Sequence, residues 1–221
     1  MTTEIKICGL REAGALDAAL EAGADYVGLV FFEPSPRHVD FTEGAGFARR
    51  AHGHAKVVAL VVDPSEDDLT EITSNIRPDV VQFHGNETPE FIDAFRARFV
   101  GEVWKAVPVE EAADVEAARA YVPIVDRILF DARPPREATR PGGNGAAFDW
   151  TILSGLDLGK PFVLSGGLNP DNVVEAVRIA GPSVVDVSSG VEATPGVKDP
   201  AKIRAFVDAV RGGGGRQGKV A

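Results

Sequence analysis

Apolar positions along the chain alternate between two periods. Short continuous runs begin at Ile5 (IKIC), Tyr26 (YVGLVFF), Lys56 (KVVALVV), Asp79 (DVVQF), Val103 (VWKAV), Arg127 (RILFDA), Pro161 (PFVL) and Ser183 (SVVDV). Such runs suit strands covered on both faces. Between them, apolar residues recur at helical spacing. Ala13, Leu16, Ala19, Leu20 and Ala22 share a face ahead of Gly23, and a second helix, starting near Thr42, carries Ala45, Phe47 and Ala48. Leu69, Ile72 and Ile76 predict a helix over 66–76, with Asp63 and Ser65 as capping groups and Pro78 as its stop. Thr88 is placed as N-cap of the fourth helix, with Pro89 in its first turn and Glu87 and Glu90 beside its positive end. A fifth helix is expected over 110–120.

The sixth strand departs from this rhythm. RPPREATRPGGNGAAFDW follows it, and Pro and Gly exclude a helix until about Asp149. Connections usually take about 4 to 6 residues, so the stretch from Arg133 to Ala147 reads as a lid over a bound ligand. The seventh unit continues through LNPDNVVEAVRIAG, and the eighth through a bend at TPGVKD into a last helix over 199–210.

Strand runs alternating with helices at roughly 25-residue spacing predict parallel strands joined by crossover helices. Eight such units favour closure over an open doubly wound sheet, which usually needs about five or six strands. The expected fold is α/β, a (β/α)8 TIM barrel forming one domain over 1–210, with 211–221 a disordered Gly-rich tail.

Composition narrows the partners. At 221 residues and 44% hydrophobic, one core is expected. No stretch approaches the roughly 20 apolar residues of a membrane span, and a soluble, cytoplasmic protein is expected. Cys8 is the only cysteine, which excludes an internal disulfide and a cysteine-rich metal site. With 33 acidic and 23 basic residues, the net charge of -10 opposes nucleic acid and anionic membranes. A small phosphorylated substrate remains open to it, because local amides and single cations act within a few ångströms.

In such a barrel the chemistry belongs at the carboxyl ends of the strands. The polar residues there are Lys6 and Cys8, then Ser35, Arg37 and His38, Asp63, Gln82 and His84, Lys105, Asp131 and Arg133, Ser165, Asp186, Ser188 and Ser189. Gly166 and Gly167 after the seventh strand, with Ser188, Ser189 and Gly190 after the eighth, can turn backbone N–H groups toward one anion, although each glycine also reads as an ordinary turn residue. Cys8 reads either as a small core residue or as a reactive group at the mouth, about half-way round the barrel from Asp131, which could instead cap a loop. Arg37 sits in a Pro-bounded loop suited to aiming a guanidinium at a carboxylate, or forms a surface salt bridge. His84 lacks the companions of a metal site and is placed with Arg37 among the substrate-binding side chains. His52 and His54 look like surface residues.

These strand ends resemble the phosphoribosylanthranilate isomerase family of tryptophan biosynthesis. The matching stretches are KICG (6–9), SPRHV (35–39), VQFHG (81–85), LFDA (129–132), GGNGAAFDW (142–150), LSGGLNPDNV (164–173), VDVSSGVE (185–192) and PGVKD (195–199). The resemblance implies an Amadori rearrangement of N-(5-phospho-β-D-ribosyl)anthranilate to the 1-deoxyribulose 5-phosphate, without cofactor or metal, by a monomer or homodimer. It implies Asp131 as general acid, Cys8 as general base, Arg37 against the anthranilate portion, and Gly166, Gly167, Ser188, Ser189 and Gly190 around the phosphate. Phe83 stands where the family more often has Leu, and Asn144 where GGTG is more usual. The alternatives are the histidine-pathway isomerase, which uses an aspartate where Cys8 stands, and a noncatalytic barrel that binds a phosphometabolite.

Overall fold

A computed structural model describes residues 2–133, 142 and 147–213. Strands β1 (Glu4–Cys8), β2 (Tyr26–Phe31), β3 (Lys56–Val61), β4 (Val80–Phe83), β5 (Glu102–Val109), β6 (Arg127–Ala132), β7 (Phe162–Leu164) and β8 (Val184–Val187) form a closed barrel in sequence order. All neighbours run parallel, and β8 closes onto β1 with Lys6 opposite Asp186. The expected TIM barrel is the fold.

The period of two along each strand divides the core. Tyr26, Val58, Val80, Trp104, Ala106, Leu129, Val163 and Val184 pack together inside the barrel. The alternate positions, among them Ile7, Val27, Val81, Phe130 and Leu164, join the helices in a larger outer layer. A third cluster, Cys8, Val30 and Leu60 with Phe32 and Val62, lies further along the strands.

Helices surround the barrel: α1 (Ala13–Ala22), α2 (Phe41–Ala51), α3 (Glu66–Glu71), α4 (Pro89–Arg96), α5 (Ala112–Ala117), α6 (Val173–Ala180) and α7 (Pro200–Gly213). Ser65 caps α3 reciprocally with Asp68, Asp40 does the same for α2 with Glu43, and Thr88 accepts from the Phe91 N–H. Asp63 caps nothing: its φ of 46° turns the chain, and its carboxylate accepts from Asn86 N–H at 2.6 Å. The helix expected over 66–76 changes pitch, passing from α3 into a π-helical stretch over Ile72–Ile76. The fifth helix is shorter than expected because β5 runs on to Val109 and the chain tightens to a 3-10 turn over Ala118–Tyr121. Among the described residues between β6 and β7, the one helical element is a 3-10 turn, Trp150–Leu153.

Where the sequence suggested a bend, β9 (Glu192–Thr194) and β10 (Val197–Lys198) form a short antiparallel hairpin. The last helix extends through Gly213, past Val210 where the barrel domain was expected to end. The proposed lid, apart from Arg133, Gly142 and Ala147, lies outside the described residues, as do Asn144 and 214–221. Among the described residues no helix is long and apolar enough to cross a membrane.

Candidate active site

A cavity of about 750 Å³, counting the part open to solvent, lies at the carboxyl ends of the strands. Cys8, Arg37, His84, Asp131, Gly166, Gly167, Ser188 and Ser189 all line it, so eight of the expected site residues come together. Strand parity explains this: Cys8, His84, Asp131, Ser165, Asp186 and Ser188 each fall two or four residues beyond an inward-facing position of their own strand. The same parity removes Lys105, whose neighbours Trp104 and Ala106 point inward. Its ammonium binds Gly85 O at 2.7 Å and Glu87 at 2.8 Å instead, bracing the loop after β4. Arg133 pairs with Glu110 and Asp114 on the outside.

Cys8 is 4% exposed and packs against the apolar wall of Val30 and Leu60, extended by Phe32 and Val62. Burial pushes its thiol above the ordinary 9.0, with Lys6 pulling the other way. Asp131 enters from β6. Its Oδ1 accepts from Ala132 N–H at 2.9 Å, and its Oδ2 lies 3.3 Å from His84 Nε2. Gln82 Nε2 stands 3.0 Å from His84 Nδ1. Gln82 on one side and Asp131 on the other fix the plane of the imidazole at the cavity wall. His84 thus belongs to Asp131 as much as to any ligand.

Arg37 is buried rather than a surface ion. Its Nε and Nη2 donate to the two Glu192 oxygens at 2.7 and 2.9 Å. Gly9, at φ 76°, makes this possible, because a Cβ there would lie 2.5 Å from Arg37 Cδ. Lys198 donates to Glu192 at 2.8 Å and to Ser188 O at 2.9 Å, tying the hairpin to the loop after β8. Burial alone would raise Glu192, but Arg37 and Lys198 outweigh it and hold the carboxyl below its ordinary value. Burial lowers Lys198, with Glu192 opposing. Sequence reading missed both residues. Each lies within a matched motif, yet only the hairpin shows that they face Arg37.

The glycine loops form the far wall. Gly166, at φ 86°, approaches so closely that a Cβ would meet Ala132 N at 2.5 Å. Among the described residues, no hydrogen bond is donated by the Gly166 or Gly167 N–H. Asn172 Nδ2 donates to Gly167 O at 2.9 Å and sets the turn. Gly190 is not part of the lining. It lets the β8 loop pack under Leu168, whose carbonyl oxygen would stand 1.9 Å from an added Cβ.

Fold and cavity together define a (β/α)8-barrel enzyme with a carboxyl group, a thiol and a pair of glycines around one space. The N-(5'-phosphoribosyl)anthranilate (PRA) isomerase family matches residues 5–209. An N-(5'-phosphoribosyl)anthranilate isomerase of Paramagnetospirillum magneticum is 51% identical over 213 residues, covering 96% of this chain and 99% of that one. The enzyme of Afipia carboxidovorans is 55% identical over 96% of this chain and 90% of its own. Among solved structures, the phosphoribosylanthranilate isomerase of Thermotoga maritima superposes with a TM-score of 0.87 at 34% identity, covering 96% of this chain and all of that one. Another of the same activity, in complex with reduced 1-(o-carboxyphenylamino)-1-deoxyribulose 5-phosphate, gives 0.81 at 31% identity with 96% and 100% coverage. This chain belongs to the phosphoribosylanthranilate isomerase family. It is an isomerase and catalyses an Amadori rearrangement.

Proposed function

We propose that this chain takes N-(5-phospho-β-D-ribosyl)anthranilate and that Cys8 and Asp131 divide its proton transfers. The observation that carries the assignment is that the thiol and the carboxyl line one cavity from β1 and β6, beside the glycine loops. The phosphate sits against the N–H groups of Gly166 and Gly167 with Ser188 and Ser189, where backbone donors aim at an anion without needing positive surface charge. The aromatic ring lies on Val30, Phe32, Leu60 and Val62, with its carboxylate toward Arg37. Asp131 in its acid form protonates the furanose oxygen, and the ring opens to a protonated imine. The Cys8 thiolate takes the C2 proton to give the enolamine. Protonation at C1 and loss of the 2-hydroxyl proton then yield the ketone. A thiol pushed up by burial is a correspondingly stronger base once ionised. It must also stay reduced, which fits a cytoplasmic location.

The test compares Cys8→Ser with Asp131→Asn. Positioned proton transfer contributes roughly 10²- to 10⁴-fold, so each change should lower kcat by at least about 100-fold with little effect on product Kd. Hydrogen exchange at C2 separates the roles, because the base controls exchange and the acid controls the ring opening before it. A Cys8→Ser enzyme with near wild-type kcat and exchange would sink the assignment.

A further inference from the structure

Two buried ionisable groups, Asp186 on the cavity wall and its partner Lys6, take no part in these proton transfers. Lys6 precedes Cys8 by two residues on β1, so both side chains point into the barrel. Lys6 is fully buried, and its Nζ lies 2.9 Å from Asp186 Oδ1 across the β1–β8 seam. Ser165 Oγ donates to Asp186 Oδ2 at 3.3 Å from β7. An ion pair this deep is a weak source of stability, since well-packed apolar residues of similar volume commonly do as well or better. Its location supplies another reason, because Lys6 and Cys8 are successive inward positions of β1, and both are buried. Gly28 on β2 leaves room for the sulfur, since a Cβ there would stand 2.9 Å from Sγ.

We propose that Lys6 is a positioning residue for the Cys8 base: its ammonium supports the thiolate, while Asp186, steadied by Ser165, holds the ammonium in place. The proposal rests on the reading of Cys8 as base. The charged groups around the thiol are Lys6 on its own strand, Asp186 on β8 and Lys198 on β10, with Arg37 and its partner Glu192, His84 and Asp131 also at the cavity. Burial opposes ionisation of the thiol most strongly, the Lys6 charge is the largest influence favouring it, and Asp186 opposes it. The two members of one ion pair therefore act on the sulfur with opposite sign.

Because the chain has a single cysteine, alkylation of the folded protein by iodoacetamide across pH reads Cys8 alone and needs no substrate. Lys6→Met should move the alkylation midpoint to higher pH by about one unit, making the reaction roughly tenfold slower at pH 7. Asp186→Asn should move it to lower pH. In turnover, Lys6→Met should lose kcat at neutral pH and recover part of it as pH rises, with KM little changed. If the single variants fail to fold, Lys6→Met combined with Asp186→Asn leaves no unpaired buried charge, and its midpoint should still lie above wild type. Midpoints that stay put, or that move the same way in both single variants, overturn the proposal. Failure of the base reading itself appears elsewhere, as undiminished turnover by Cys8→Ser.

Discussion

The amino-terminal and carboxyl-terminal halves of the barrel interior are built on the same strands with the same inward parity, yet they do opposite work. In the lower half, Tyr26 and Trp104 are fully buried and meet edge to face with centroids 5.1 Å apart. Arg127 lies over the Trp104 ring at 5.6 Å and bridges Glu4 at 3.2 Å and Glu102 at 3.4 Å, while Lys56 binds Glu102 at 2.8 Å. These charges answer one another around a packed aromatic floor. In the upper half the inward residues are Cys8, His84, Asp131, Ser165, Asp186 and Ser188, and they surround a cavity. The difference teaches that a step of one or two inward positions along a strand separates stability from chemistry, as the face-to-face division of this fold leads one to expect.

The sharpest way to break the comparison is to truncate the floor. Trp104→Ala should cost about 3–5 kcal/mol in chemical denaturation while leaving kcat of the folded protein nearly unchanged. A collapse of kcat at unchanged stability would erase the distinction between halves. Glu192→Gln probes the mouth's own structural element. Removing one partner of a buried ion pair costs about 3–5 kcal/mol, and Glu192→Gln, which keeps the shape, should lose about 3 kcal/mol or less and raise KM through misplaced Arg37. The folded carboxyl is depressed, so its contribution is complete above 4.5 and is lost as pH falls through the lower folded value. Acid denaturation curves should therefore show a flatter decline below pH 4.5 for Glu192→Gln than for wild type, and parallel curves would rule out this linkage.

A smaller effect concerns the thiol. Burial holds Cys8 above 9.0, so its alkylation rate should climb about tenfold per pH unit from pH 7 to 9 without levelling off. A plateau below pH 8 would show that the mouth is more polar than the packing implies. Smallest of all is the exposed Arg178–Glu175 pair on α6, remote from both halves. Arg178→Ala should leave Tm and kcat indistinguishable from wild type, because solvent screens such pairs.

Much of the fold was legible because a strand covered on both faces must read as a continuous apolar run, and a barrel helix must repeat its apolar face. The departures have local causes. Asp63 looked like a cap by composition, but its left-handed backbone lies two residues ahead of α3, and Ser65, the other expected capping group, caps that helix. The β9–β10 hairpin was hidden in a Pro- and Gly-containing bend because a three-residue and a two-residue strand carry no readable period. Glu192 and Lys198 stayed invisible for the same reason.

By itself the sequence determined the strand count, the closed parallel architecture, the family, and the strand ends on which chemistry had to lie, since hydrophobic period and motif are local properties of the chain. Only the tertiary structure decided which polar residues at those ends share a space. Lys105 and Arg133 turned away while Asp186 and Ser165 turned inward. Gly190 proved to be a packing contact against Leu168, outside the cavity that Ser188 and Ser189 line. The physical reason is that the register between strands, loop curvature and the pairing of buried charges are settled by neighbours distant in sequence, as when Arg37 meets a carboxylate from residue 192.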